Sequence, residues 1–265
     1  MSVRSMLGHH WRRHGVVFFA LALALFAFEW LITRVAPEAP QTQAFQGILQ
    51  LLPPALVNML GELTANFNAG GMIGFGYAHP FALLMMGVWA VRLTAGPLAG
   101  EVGARTMDLI ASRPVSRGAL VRAALVALLV GLALLAASAW CGTAVGLATR
   151  RSLGIAPWRY LEVAFVMWLL FAAFGSVSLL IAALHRQSGP AMAVSAGIIA
   201  VSFALNFIAR SWPPIAWSRP LSLFMYYRPE HIHDAGPLTG DTLVLALVGV
   251  VAAALAFPIF SRRDL

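Results

Sequence analysis

Long apolar runs alternate with short polar, punctuated segments along this chain. Six runs approach or exceed the roughly 20 residues that an α-helix needs to cross a bilayer. They fall at about 15–32, 79–98, 119–148, 163–184, 190–209 and 242–260. The pattern predicts an all-α, polytopic membrane protein with six transmembrane helices, forming a single transmembrane domain over 1–265. The segment 33–78 is interrupted by Pro37, Pro40, Pro53 and Pro54. The stretches 45–52 and 55–63 between them are amphipathic and too short to span, so they are expected as interfacial helices. The glycine-rich stretch 67–77 reads as a flexible re-entry into the membrane; no Gly-Lys-Ser/Thr follows, as a phosphate-binding loop would require. In the fifth run Ala191, Ala193, Ser195, Ala196 and Gly197 are small enough to permit close helix–helix approach.

The most polar and sharply punctuated segment between two spans is 100–117. Its stretch Glu101 to Ser112 has room for about three helical turns. There Val102, Leu109 and Ile110 share a face, and Glu101, Arg105 and Asp108 occupy much of the rest; Arg113 follows directly. Pro114 ends the helix, because the residue before a proline is pushed out of the α region. Ser116 is placed to cap the following helix. The expected element is a short amphipathic helix strapped across the membrane surface between two spans, shaped to receive force from outside the bilayer.

Composition strengthens this picture. The chain is 60% apolar and 11% charged, where a soluble domain carries roughly a quarter charged residues. The net charge is +8, and every basic residue is an arginine. The arginines cluster at the ends of the apolar runs, which fits lipid headgroups rather than nucleic acid. Six spans place both termini on one side. Ten arginines fall on that side and seven on the other, with Arg92 set aside, which favours cytoplasmic termini. Cys141 is the single cysteine and excludes an intrachain disulfide.

Candidate chemistry is sparse. Glu29 lies near the far end of the first run. It reads as a carboxylate in a transport path or, because Arg34 follows after about a turn, as one reaching out to the interface. Arg92 interrupts the second run and reads as a substrate contact, as the partner of an intramembrane acid, or as a cation snorkelling to the nearby surface. His231 and His233 are two histidines at i and i+2, too few ligands for a zinc or copper site. No Walker A motif, serine elbow or His-Glu-x-x-His is present. The chain is therefore expected to be no enzyme, with no cofactor and no metal of its own.

Three motifs carry a resemblance. Ala99-Gly100-Glu101, Thr106-x-Asp108-Leu109-Ile110 and Pro114-Val115-Ser116-Arg117 occur in that order; Leu221-Ser-Leu-Phe-x-Tyr226-Tyr227-x-Pro229 follows; the chain ends Phe260-x-Arg262-Arg263-Asp264-Leu265. This resembles the integral-membrane permease subunits of type-2 ATP-binding-cassette (ABC) exporters. Ala104-Arg105 stands where that family usually has a glycine before the threonine, and Arg122 replaces a common lysine. The resemblance implies that 100–117 is a cytoplasmic coupling helix docking on a separate ATPase, with Glu101, Val102, Arg105, Thr106, Asp108, Leu109, Ile110, Arg113, Pro114, Ser116 and Arg117 at the contact. It implies two ATPase copies that bind ATP and Mg, a second permease copy in a homodimer or heterodimer, and a place in the cytoplasmic membrane. Two other classes remain beside it. An ion-gradient-driven secondary transporter would need intramembrane acids and usually an internal repeat. A membrane-embedded enzyme or metal-handling protein would have to draw on Glu29, Arg92, His231 and His233, which are scattered along the chain. A structural or assembly role without transport is a further alternative.

Overall fold

The computed structural model describes residues 3–35, 51, 69–103, 117–150, 153–229 and 240–261. Seven α-helices account for most of them: α1 (Val3–Val35), α2 (Ala69–Ala78), α3 (Pro80–Gly103), α4 (Arg117–Ala148), α5 (Trp158–Leu184), α6 (Ser188–Ser211) and α7 (Gly240–Ser261). Two 3-10 segments, Pro213–Leu221 and Leu223–Tyr226, lie between α6 and α7. No strand occurs among the described residues. Among the described residues, six stretches are long and apolar enough to cross a membrane: His14–Val35, Ala69–Thr94, Gly118–Ala148, Trp158–Leu184, Ser188–Arg210 and Gly240–Ser261. The protein is thus an all-α, polytopic membrane protein.

The second crossing is built from two helices. The glycine-rich stretch expected as a flexible re-entry is helical as α2. α2 meets α3 at His79, whose Nδ1 accepts from the Phe81 N–H at 3.2 Å. Pro80 follows as the first residue of α3, where its missing N–H costs nothing. The expected interfacial helices at 45–52 and 55–63 lie outside the described residues, apart from Leu51.

α5 is the hub. Nearly three quarters of its spanning window (72%) is buried, against 17% for α6. It packs against α3, α4, α6 and α7, while α1 lies along α4. Lipid tails are as apolar as leucine, so helices in a bilayer are held by close packing and interhelical hydrogen bonds rather than by hydrophobic transfer. Both devices are visible here. Gly142 and Gly146 of α4 face α1 at successive turns: a Cβ on Gly142 would collide with the Phe26 carbonyl, and one on Gly146 would lie 2.7 Å from Thr33 Cβ. One turn earlier, Ser138 Oγ donates to the Ala22 carbonyl at 2.8 Å. The contacts advance in the same direction on both helices, so α1 and α4 run parallel.

The small-residue stripe expected to serve helix packing in α6 has another setting. Ala191 and Ser195 are buried, but Ala193, Ala196 and Gly197 are exposed, and a Cβ on Gly197 would meet nothing within 4 Å. A close helix approach falls instead at Gly142-x-x-x-Gly146, a small-xxx-small pattern.

Candidate functional site

Three places carry the residues singled out from the sequence. The first is the polar segment 100–117. α3 continues without a break through Gly103, so Glu101 and Val102 belong to its last turn, and Arg117 is the first residue of α4. Arg105, Thr106, Asp108, Leu109, Ile110, Arg113, Pro114 and Ser116 lie outside the described residues. Thr94, about 9 Å before Gly100 at 1.5 Å per helical residue, is buried and donates to Ser178 Oγ at 2.7 Å. Ser178 donates to Ser195 Oγ at 3.0 Å, and Ser195 to the Ala191 carbonyl at 2.8 Å. This chain of hydroxyls ties α3 to α5 and α6 just inside the segment.

The second place surrounds Glu29, toward the other end of the bundle. The reading of Glu29 as a carboxylate reaching out to the interface is corrected here, since its exposure is 0%. The reason is tertiary: α2 lays Gly76 against the carboxylate, so closely that a Cβ there would lie 2.6 Å from Glu29 Oε2. Thr143 of α4 stands beside it. Neither carboxylate oxygen, however, reaches hydrogen-bonding geometry with a described donor. The neighbouring hydroxyls serve each other: Tyr77 Oη and Thr143 Oγ1 are 3.0 Å apart. The Tyr77 ring stacks on Tyr160, with centroids 6.1 Å apart and planes 11° apart. Tyr160 Oη donates to the Gly70 carbonyl at 2.8 Å, and Tyr227 Oη to the Tyr77 carbonyl at 3.2 Å. The cluster joins α1, α2, α4, α5 and the segment after the second 3-10 turn. Sequence reasoning missed Tyr77, Thr143 and Tyr160. They come from three distant segments, and no local pattern marks them as partners.

The third place is a groove of about 560 Å³ between α3 and α6. On α3 its wall is a stripe at helical spacing, Leu83, Leu84, Gly87, Val88 and Val91, ending at Arg92. On α6 the facing residues include Ala193, Ala196 and Ala200, whose short side chains leave the space open. Aromatic rings close the end away from Arg92, where Phe203 meets Phe224 edge to face at 5.4 Å. Arg92 is exposed. It is the one charged residue on the two walls over 80–94 and 188–209. The structure does not bring Glu29 and Arg92 together: Glu29 faces α2 and α4, whereas Arg92 faces the groove toward α6.

His231 and His233 lie outside the described residues. The flanks of their loop are joined by Arg228, whose Nε donates to Asp241 Oδ2 at 3.1 Å and whose Nη2 also contacts that oxygen. Among the described residues, no three His, Cys, Asp or Glu side chains gather to hold a metal ion.

No curated protein matches the chain by sequence. At family level the finding is definite. The sequence model described as ABC-2 family transporter protein matches residues 16–265, which takes in all six spans, the segment 100–117 and the groove, and the chain belongs to that family.

Proposed function

We propose that this ABC permease subunit is half of an ATP-driven exporter in the cytoplasmic membrane, with both termini in the cytoplasm. The family implies ABC ATPase subunits as partners in general. In the proposed assembly two ATPase copies, which carry the ATP and Mg, act on two permease copies. Segment 100–117 docks on the ATPase: Leu109 and Ile110 supply the apolar contact, and Glu101 and Arg117 orient it by polar contacts. Closure of the ATPases pushes this segment. α3 moves with it, and the Thr94–Ser178–Ser195 hydroxyls carry the movement into α5 and α6. The groove between α3 and α6 changes shape, and its contents are released on the opposite side.

The observation that best supports this reading is the continuity of α3. One unbroken helix, Pro80–Gly103, forms a wall of the groove and ends inside the proposed docking segment. The experiment is gentle purification of the tagged chain from its native membrane, with identification of what accompanies it. A stoichiometric ABC ATPase, lost when Leu109→Asp and Ile110→Asp are introduced together in a chain that still inserts, is the expected result. A chain that purifies alone in several detergents and in nanodiscs refutes the proposal.

A further inference from the structure

We propose that the groove between α3 and α6 takes a lipid-like amphiphile with an acidic headgroup and one acyl chain, the headgroup bound by Arg92. This deepens the reading of the groove as the substrate path and rests on it. The volume of about 560 Å³ falls within the roughly 300–1,000 Å³ of small-molecule sites. The groove follows α3 from Pro80 to Arg92, about 18 Å at 1.5 Å per residue, so it suits a chain rather than a compact solute. Its lining is apolar throughout apart from the guanidinium.

The charge distribution sets the headgroup. Arg92 has no ion-pair partner among the described residues, and no acid lies on either wall. An arginine presents a planar fork that matches carboxylate and phosphate oxygens. The tail contributes little discrimination, because a lipid chain leaving the bilayer for the groove exchanges one apolar surface for another. Recognition must therefore come from the head. The occupant is lipid-like rather than a free anion, because the described lining offers nothing polar besides Arg92. Ala193, Ala196 and Ala200 keep the groove wide along its length, and Phe203 and Phe224 stop the tail at the far end.

The test uses the full chain in nanodiscs of zwitterionic lipid. A long-chain alkyl phosphate carrying a diazirine on its chain is photolysed, and the adducts are mapped by mass spectrometry. The expected adducts fall on 80–92 and 192–203. They are weakened roughly ten- to hundredfold by Arg92→Gln, as loss of a hydrogen bond to a charged group implies, and are retained in Arg92→Lys. Excess inorganic phosphate leaves them in place. Ala196→Trp fills the groove at an exposed position and removes them, while Val250→Trp on the outer face of α7 does not. Three results would overturn the proposal: adducts spread evenly over α1 and α7, equal labelling by the matching alkyl phosphocholine, or groove residues shielded by cross-linking to a second copy of the chain. The readout needs no ATPase. Arg92-independent labelling in a preparation that contains its ATPase defeats this inference alone. A missing ATPase defeats the exporter reading and leaves the labelling result standing.

Discussion

Replacing Gly142 by alanine is the sharpest test of how the bundle is held. A Cβ at this position would collide with the Phe26 carbonyl oxygen and lie 3.0 Å from its carbon and 3.1 Å from Phe26 Cα. These are backbone atoms of α1 and cannot rotate away. The optimum carbon–carbon separation is about 3.5–4.0 Å, so α1 and α4 must part by roughly 0.5–1 Å. A gap of that size forfeits a quarter to a half of each neighbouring dispersion contact. If about 40 atom pairs worth about 0.15 kcal/mol each lose a third, the cost is about 2 kcal/mol, within the 1–3 kcal/mol range of about typical overpacking. The Ser138–Ala22 hydrogen bond of 2.8 Å, one turn away, stretches as well and adds about 0.6 kcal/mol. The assay is unfolding in mixed micelles, with Gly197→Ala as the comparison, because a Cβ there meets nothing within 4 Å. Gly142→Ala is expected to lose about 2–3 kcal/mol on this reckoning, and Gly197→Ala to be neutral or slightly stabilised. Equal stability of the two variants would refute the close-packing argument.

Other outcomes can be checked in the same preparations. Glu29→Gln leaves a neutral group of the same size in the buried site, so the unfolding midpoint is expected to hold or rise slightly; a fall in the midpoint would show that the carboxyl group is held by a partner it needs. Ser178→Ala interrupts the hydroxyl chain from Thr94 to Ser195; it should cost about 0.6–1.7 kcal/mol and, in the reconstituted transporter, reduce transport per ATP hydrolysed. Asp241→Asn weakens the pair with Arg228, whose side chains are 36% and 27% exposed. The expected loss is below about 1 kcal/mol and shrinks further in high salt, which paired unfolding curves at two salt concentrations would test.

The architecture was legible because hydropathy over some 20 residues reports whether a segment can leave water, and that property is local. The six spans follow from it, whereas the helix over 69–78 that begins the second crossing did not. The segment 100–117 was equally legible as a polar break between two spans, because its residues are contiguous. Helix rotation was not. A spanning helix meets apolar surroundings both in the bundle and in lipid, so the face it buries leaves only a faint periodic trace. The misplaced stripe on α6 follows from this: small residues permit close packing and equally permit a groove, and only the position of α3 decided between them. Glu29 shows the same limit. Its distance along the chain from Arg34 pointed to the interface, yet α2 brings Gly76 over it and buries it.

By itself the sequence determined that six segments are apolar and long enough to cross a membrane, that the chain's cations gather at the ends of the spans, and that a polar segment broken by Pro114 separates the second span from the third. The tertiary structure alone decided that Tyr77, Thr143 and Tyr160 surround a buried carboxylate, that Gly142 and Gly146 bring α1 onto α4, and that Arg92 stands at the end of an apolar groove against α6. The physical reason is that crossing a bilayer is a property of one segment's transfer free energy, whereas a site in lipid depends on how several uniformly apolar helices turn toward one another, which their side chains settle only jointly.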